Sequence, residues 1–188
     1  MSTSTTTNTL PAGLTTGTYV IDPSHTEVGF VARHAMVTKV RGRFTEVEGT
    51  LQFSDDPEAS AAEATIRTAS VSTGSPDRDG HLRSADFFDV EQFPAITFRS
   101  RGLEADGETY VLTGDLTIKD VTKPVRLPVE FGGAATDPFG NERAGFSAEL
   151  DVNREDWGLT WNAALETGGV LVSKKVKLTL EVSAIKQA

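Results

Sequence analysis

The chain has 188 residues, with 18 Lys plus Arg against 27 Asp plus Glu, three His and no Cys. That length suits one domain able to bury a core of its own, and the lack of cysteine excludes thiol nucleophiles, disulfides, iron–sulfur clusters and Cys-ligated zinc. A net charge of −9, with no basic run longer than Lys174-Lys175, weighs against nucleic acid and against anionic membrane surfaces, because both need clustered cations.

Seven of the first nine residues are Ser or Thr, and the first 17 carry no charged side chain. A secretory signal needs a basic start followed by about 7–15 apolar residues, and neither occurs. The apolar cluster Gly169-Val170-Leu171-Val172 is far short of the roughly 18 residues that span a bilayer. These features predict a disordered polar leader over residues 1–16 and a soluble, cytoplasmic domain over 17–188, with no stable membrane insertion.

From there the chain reads as all-β, because apolar residues recur with period two, as they do in strands with one buried face. Val28, Phe30, Ala32 and His34 share a face. Phe44 is followed by Val47, Leu51 and Phe53 in the opposite parity, which predicts a bulge near Thr45-Glu46. Ala62, Ala64, Ile66 and Thr68 form the next set. Residues 73–93 interrupt the pattern, and there Ser75-Pro76-Asp77 is a helix-start sequence. A second helical turn is expected at Ser84-Ala85-Asp86-Phe87-Phe88, with Gly80 arguing against one continuous helix. Alternation resumes at Ile96 and Phe98, then at 110–118, 125–131, 146–152 and 176–182, for about eight strands. Asp55-Asp56-Pro57, Glu104-Ala105-Asp106-Gly107 and Asp137-Pro138-Phe139-Gly140-Asn141 are turn sequences. Connections this short favour antiparallel neighbours.

Such strands make a sandwich or a closed barrel, and closure has the advantage of leaving no exposed edge. An eight-stranded barrel is about wide enough to be filled by side chains or to hold one small ligand. Ala32, Ala62, Ala64, Gly114 and Ala148 are small residues at inward positions. They leave volume for the neighbouring phenylalanines or for a bound apolar molecule.

Tyr19-Val20-Ile21-Asp22-Pro23-Ser24-His25-Thr26, followed by Phe30 and His34, resembles the opening of the YceI-like family of lipid-binding proteins. Gly42-Arg43-Phe44, Arg78-Asp79-Gly80-His81-Leu82, Asp86-Phe87-Phe88-Asp89-Val90 and Phe93-Pro94-Ala95-Ile96-Thr97-Phe98 are similar to that family in order and spacing. So are Gly114-Asp115-Leu116-Thr117-Ile118, Thr122-Lys123-Pro124-Val125 and Asn153-Arg154-Glu155-Asp156-Trp157-Gly158. The resemblance implies a lipocalin-like barrel of eight antiparallel strands, here with a short helical insertion around residues 75–90, whose interior holds a polyisoprenoid or other amphiphilic lipid such as a quinone or fatty amide. It also implies a possible homodimer. Export, common in the family, is not matched by a signal sequence here.

The expected ligand contacts are Val28, Phe30, Ala32, His34, Phe44, Ile66, Phe98, Leu116, Phe146, Arg154 and Trp157. No catalytic residue, metal or cofactor is expected. At about 0.3 kcal/mol per heavy atom, a chain of about forty carbons reaches roughly 12 kcal/mol, near nanomolar affinity, from apolar burial alone. A polar head group would need a few placed donors at a barrel mouth, for which Arg154 and His25 are candidates. Each has a structural alternative: Arg154 paired to Asp156 or another carboxylate, His25 ordering the Asp22-Pro23-Ser24 turn. His25, His34 and His81 lack metal-ligand spacing, and no GxSxG elbow or phosphate loop occurs. The competing readings are a barrel enzyme for a small apolar substrate, which needs two of His25, His34 and Arg154 to converge, and a barrel with a solid core.

Overall fold

The computed structural model describes residues 8–188. Eleven strands form one antiparallel sheet: β1 (Gly17–Ile21), β2 (Glu27–His34), β3 (Thr38–Phe44), β4 (Val47–Phe53), β5 (Ala61–Arg67), β6 (Val71–Ser72), β7 (Ala95–Asp106), β8 (Thr109–Ile118), β9 (Val121–Thr136), β10 (Glu142–Asn153) and β11 (Lys175–Lys186). The pairing shows why eleven segments make an eight-stave barrel. β1 pairs with β4 and β2 with β3, so β1–β2 and β3–β4 are two long staves, each bent once. β5–β6 is a third bent stave, since β5 pairs with β4 and β6 with β3. β7 to β11 follow in order, and β11 closes the ring by pairing with β2 along its first half and β1 along its second.

Each bend has a local cause. Asp22-Pro23 sets the first: the Asp22 carboxylate accepts from Ser24 N at 3.0 Å and caps a single 3-10 turn over Pro23–His25. The second is the irregularity expected at Thr45-Glu46, where the strand breaks so that Phe44 and Val47 are both buried despite their opposite parity. A register shift between Ser100 and Gly102 does the same inside β7, moving the inward set from Ile96 and Phe98 to Leu103. Bulges bend and twist a strand without ending it.

The insertion contains one α-helix, α1 (Pro76–Arg83), with Ser75 as N-cap and Pro76 at its first position. It includes Gly80 but stops at Arg83, so no continuous helix fills the insertion, and tertiary bonds hold its middle and its last turn. The buried Asp79 carboxylate accepts from Thr73 N at 2.8 Å and from the Thr73 hydroxyl, and Arg83 donates to Ala69 O and Val71 O at 2.9 and 3.0 Å. Residues 84–89 form turns rather than the expected second helix.

The interior divides into two halves along the barrel. One is built on Phe44, Val47, Ile66, Ile96, Leu116 and Ile118, with Phe87, Trp157 and Leu159 packed across its end. The other centres on Tyr19, Phe53 and Leu103. Over this second end lies the described part of the expected leader, with Leu14 buried and Leu10 packed on the cluster. Asn8 accepts from Ala105 N at 3.0 Å, and Tyr110 donates to Thr9 O at 2.6 Å; residues 1–7 lie outside the described residues. Among the described residues no helix is long and apolar enough to cross a membrane.

Outside the second half, Arg143 joins two carboxylates, bonding Asp22 at 2.8 Å and Asp137 at 2.7 Å. Its guanidinium holds both aspartates well below their ordinary value of 3.8. Because their pKa values are lowered on folding, the stabilisation is fully present above the unfolded value and is lost as pH falls through the folded ones. Urea unfolding should therefore show constant stability from neutral pH to about 5 and a progressive loss below about 4. Arg143→Met should flatten that acid limb; an unchanged limb would show that other carboxylates govern it.

Candidate functional site

A cavity of about 230 Å³ lies within the barrel and is lined by residues of both interior halves. Alternation supplies its wall. Val28, Phe44, Ile66, Phe98, Leu116 and Phe146 all face it, joined by the small residues Ala62, Ala64 and Ala148. The small positions keep the volume open where bulkier residues would close it. Gly114 has a different role, since a Cβ there would meet Phe98 Cζ at 2.5 Å and Arg99 O at 2.7 Å. Glycine lets the Phe98 ring lie flat across β8.

Polar groups on this wall are already committed. Ser60 Oγ accepts from Ser54 N at 3.1 Å, and Thr26 Oγ1 donates to Ser183 O at 3.2 Å. The Ser147 hydroxyl turns to Glu181 at 2.8 Å, and Tyr110 OH reaches Thr9 O. Burial also raises the Tyr110 pKa, keeping its phenol neutral. Glu63, the single charged residue along the lining, sends its carboxylate outward to Arg99 at 3.2 Å. The cavity thus offers apolar contact and almost no free hydrogen-bonding capacity.

Five of the expected contact residues stand outside the lining. Phe30 packs behind Phe44, with ring centroids 5.8 Å apart, and lies over Gly42. Ala32 and His34 fall on the stretch of β2 beyond the cavity, where His34 is exposed and bridges to Val172. Trp157 is buried and donates from its indole to Leu116 O at 2.9 Å. Arg154 is 6% exposed, so it is neither at a mouth nor free for a head group. Its guanidinium donates to the carbonyls of Ser173, Leu159 and Val172 and lies 5.9 Å from the centre of the Phe87 ring. Among the described residues no carboxylate lies within 4.0 Å of it, and burial lowers its pKa. The carbonyls fix residues 158–174, which fold across this end of the barrel.

The three groups that an enzyme would need do not come together. His25 bonds Asp22 at 2.8 Å and Ser24 at 3.0 Å on the outside, in the turn-ordering position. His34 and Arg154 are engaged separately, and His81 pairs with Asp86 at 2.8 Å. Among the described residues no three His, Asp or Glu side chains gather as a metal site. Many lining residues were not among the expected contacts, Ile21, Phe53, Leu103 and Tyr110 among them, and the least foreseen are Pro11 and Leu14, which reach the cavity from the polar N-terminal stretch. Two apolar residues spaced three apart were the available signal.

A closed antiparallel barrel of eight staves around an apolar interior defines a lipocalin-like barrel protein. More narrowly, the chain belongs to the YceI-like domain family, whose model matches residues 19–184. It is 36% identical over 172 residues to the Protein YceI of Salmonella newport, covering 90% of this chain and 87% of that one. A UPF0312 protein of Pectobacterium atrosepticum is 37% identical over 164 residues, covering 87% and 82%. Among solved structures, the Campylobacter jejuni YCEI protein superposes with a TM-score of 0.70 at 32% identity, covering 83% of this chain and 90% of that one. A polyisoprenoid binding domain from Saccharophagus degradans shares the fold at a TM-score of 0.70 and 15% identity, covering 92% and 100%.

Proposed function

We propose that the protein binds an amphiphilic lipid of the polyisoprenoid class and carries or sequesters it with the apolar chain inside the barrel. The observation that carries this reading is the wall itself: an internal cavity whose hydroxyls and single carboxylate are satisfied elsewhere selects for chain length and shape, and disfavours polar substrates. Membership of the YceI-like family and the shared fold with a polyisoprenoid binding domain support the same class of ligand. Val28, Phe44, Ile66, Phe98, Leu116 and Phe146 are the proposed direct contacts, with Phe30 behind them. Ala32 and His34 lie beyond the chain, and Arg154 and Trp157 serve as the floor that closes one end. Binding rather than catalysis is the proposed role, in the cytoplasm and as a pair of chains, for which cell fractionation and light scattering are the tests.

Organic extraction of the purified protein followed by mass spectrometry should release a lipid with a long apolar chain. Stripped protein should then take up an added polyprenyl or quinone ligand. Protein that releases no lipid and binds neither probe would refute the carrier role.

A further inference from the structure

The β2–β3 hairpin carries a surface at odds with the rest of the molecule. On its outer face Arg33, Lys39, Arg41 and Arg43 are all exposed, and among the described residues none has a carboxylate within 4.0 Å, in a chain whose net charge is −9. Strand alternation assembles them: Arg33 pairs with Lys39 across the ladder, and Arg41 and Arg43 follow on the same face. By contrast the neighbouring Lys175 and Lys177 on β11 are paired to Asp151 and Glu149. On the hairpin strands themselves the one acidic residue is Glu27, at the opposite end of β2 from the tip.

The tip of the same hairpin is apolar. Met36 is 60% exposed and Val37 74%. Ala35 and Met36 have φ of 49° and 63°, the left-handed region, which Asn-Gly sequences occupy more cheaply in hairpins. Bonding of Ala35 N to Leu171 O at 2.7 Å holds this conformation, and the loop from 158 to 174 supports the tip from one side. The sequence thus maintains a strained turn that exposes Val37 and much of Met36, whose sulfur rests against Gly169 of that loop, with four cations behind it that no carboxylate pairs.

We propose that this hairpin docks on an anionic lipid bilayer, with Met36 and Val37 entering the headgroup–acyl boundary and Arg33, Lys39, Arg41 and Arg43 meeting lipid phosphates. A bilayer supplies both chemistries that the hairpin displays. Nucleic acid would match the cations and leave the tip in water. A protein partner needs about 800 Å² per side for a stable interface, whereas the convex tip offers two apolar side chains. The overall negative charge is compatible with this, because charges more than a Debye length away, about 10 Å at 0.1 M salt, are largely screened from the surface.

The test is co-sedimentation of the full chain with vesicles. Equimolar phosphatidylglycerol and phosphatidylcholine should retain the protein at low salt, pure phosphatidylcholine should not, and about 1 M salt should release it. Combining Arg41→Glu with Arg43→Glu should weaken binding at least tenfold, and so should Met36→Ser with Val37→Ser. Phe139→Ser should change nothing, although Phe139 is 88% exposed in the β9–β10 turn between Asp137 and Glu142. Absence of binding to the anionic vesicles would overturn the inference. So would binding that survives either double substitution in a folded protein, or duplex DNA binding as tight as vesicle binding and unaffected at the tip. Lipid extraction from the same samples reads the carrier role separately: protein that holds lipid but ignores vesicles fails only here.

Discussion

Ala148→Trp is expected to abolish lipid retention, at least a hundredfold in affinity, while leaving the melting temperature unchanged or higher. Ala148 lies midway along β10, opposite Leu180 on one side and Val129 on the other, with its methyl facing the cavity. An indole there occupies volume that an apolar ligand would need, and such a ligand has only area and dispersion contacts to lose. Overfilling a packed core normally costs about 1–3 kcal/mol. An open cavity reverses that sign, since about 24 cal/mol is recovered for each Å³ filled. The pair of measurements is mass spectrometry of extracts and a thermal melt. Undiminished lipid in a folded Ala148→Trp protein would move the ligand elsewhere; lost lipid with a collapsed melt would show that the space belongs to packing.

Arg154→Ala should destabilise the fold by about 3–5 kcal/mol: it removes three hydrogen bonds from a charged donor, each worth about 1.5–3 kcal/mol, offset in part by relief of an unpaired buried charge. Truncation leaves the Leu159 and Ser173 carbonyls without their side-chain donor and Val172 O with Asn162 Nδ2 alone, so the substitution loosens residues 158–174 as well as the core beneath them. Arg154→Lys should recover less than half of the loss. One ammonium cannot reproduce a planar fork that reaches three carbonyls in fixed directions. Urea denaturation measures both. A loss below about 1 kcal/mol for the alanine variant would mean that water replaces the guanidinium without strain.

Period-two alternation made most of the barrel legible, including the break at Thr45-Glu46, because one-sided burial writes itself directly into residue order. The shift inside β7 was not legible: Ser100 and Gly102 are ordinary residues, and the parity change to Leu103 appears only with β8 opposite. β1 was too short to show a period. Arg154 was visible as a motif residue, but its carbonyl partners sit 5 to 19 positions away in irregular chain. Net charge is silent on how the charges are arranged. Alternation on β2 and β3 scatters Arg33, Lys39, Arg41 and Arg43 among apolar residues in the sequence, so no basic run exists to be read, and folding alone lines them up.

The way β11 closes the ring bears on how the protein is made. Tyr19 pairs with Lys186, so the last stave must meet the first across nearly the whole chain. The barrel cannot seal until β11 has been made, and contacts of such high sequence separation fold slowly. Until β11 emerges, β10 on one side and β1–β2 on the other present open edges able to pair with another chain. Synthesis is therefore the period of greatest aggregation risk, and truncations near the C-terminus should fail as insoluble protein rather than as weakened carriers.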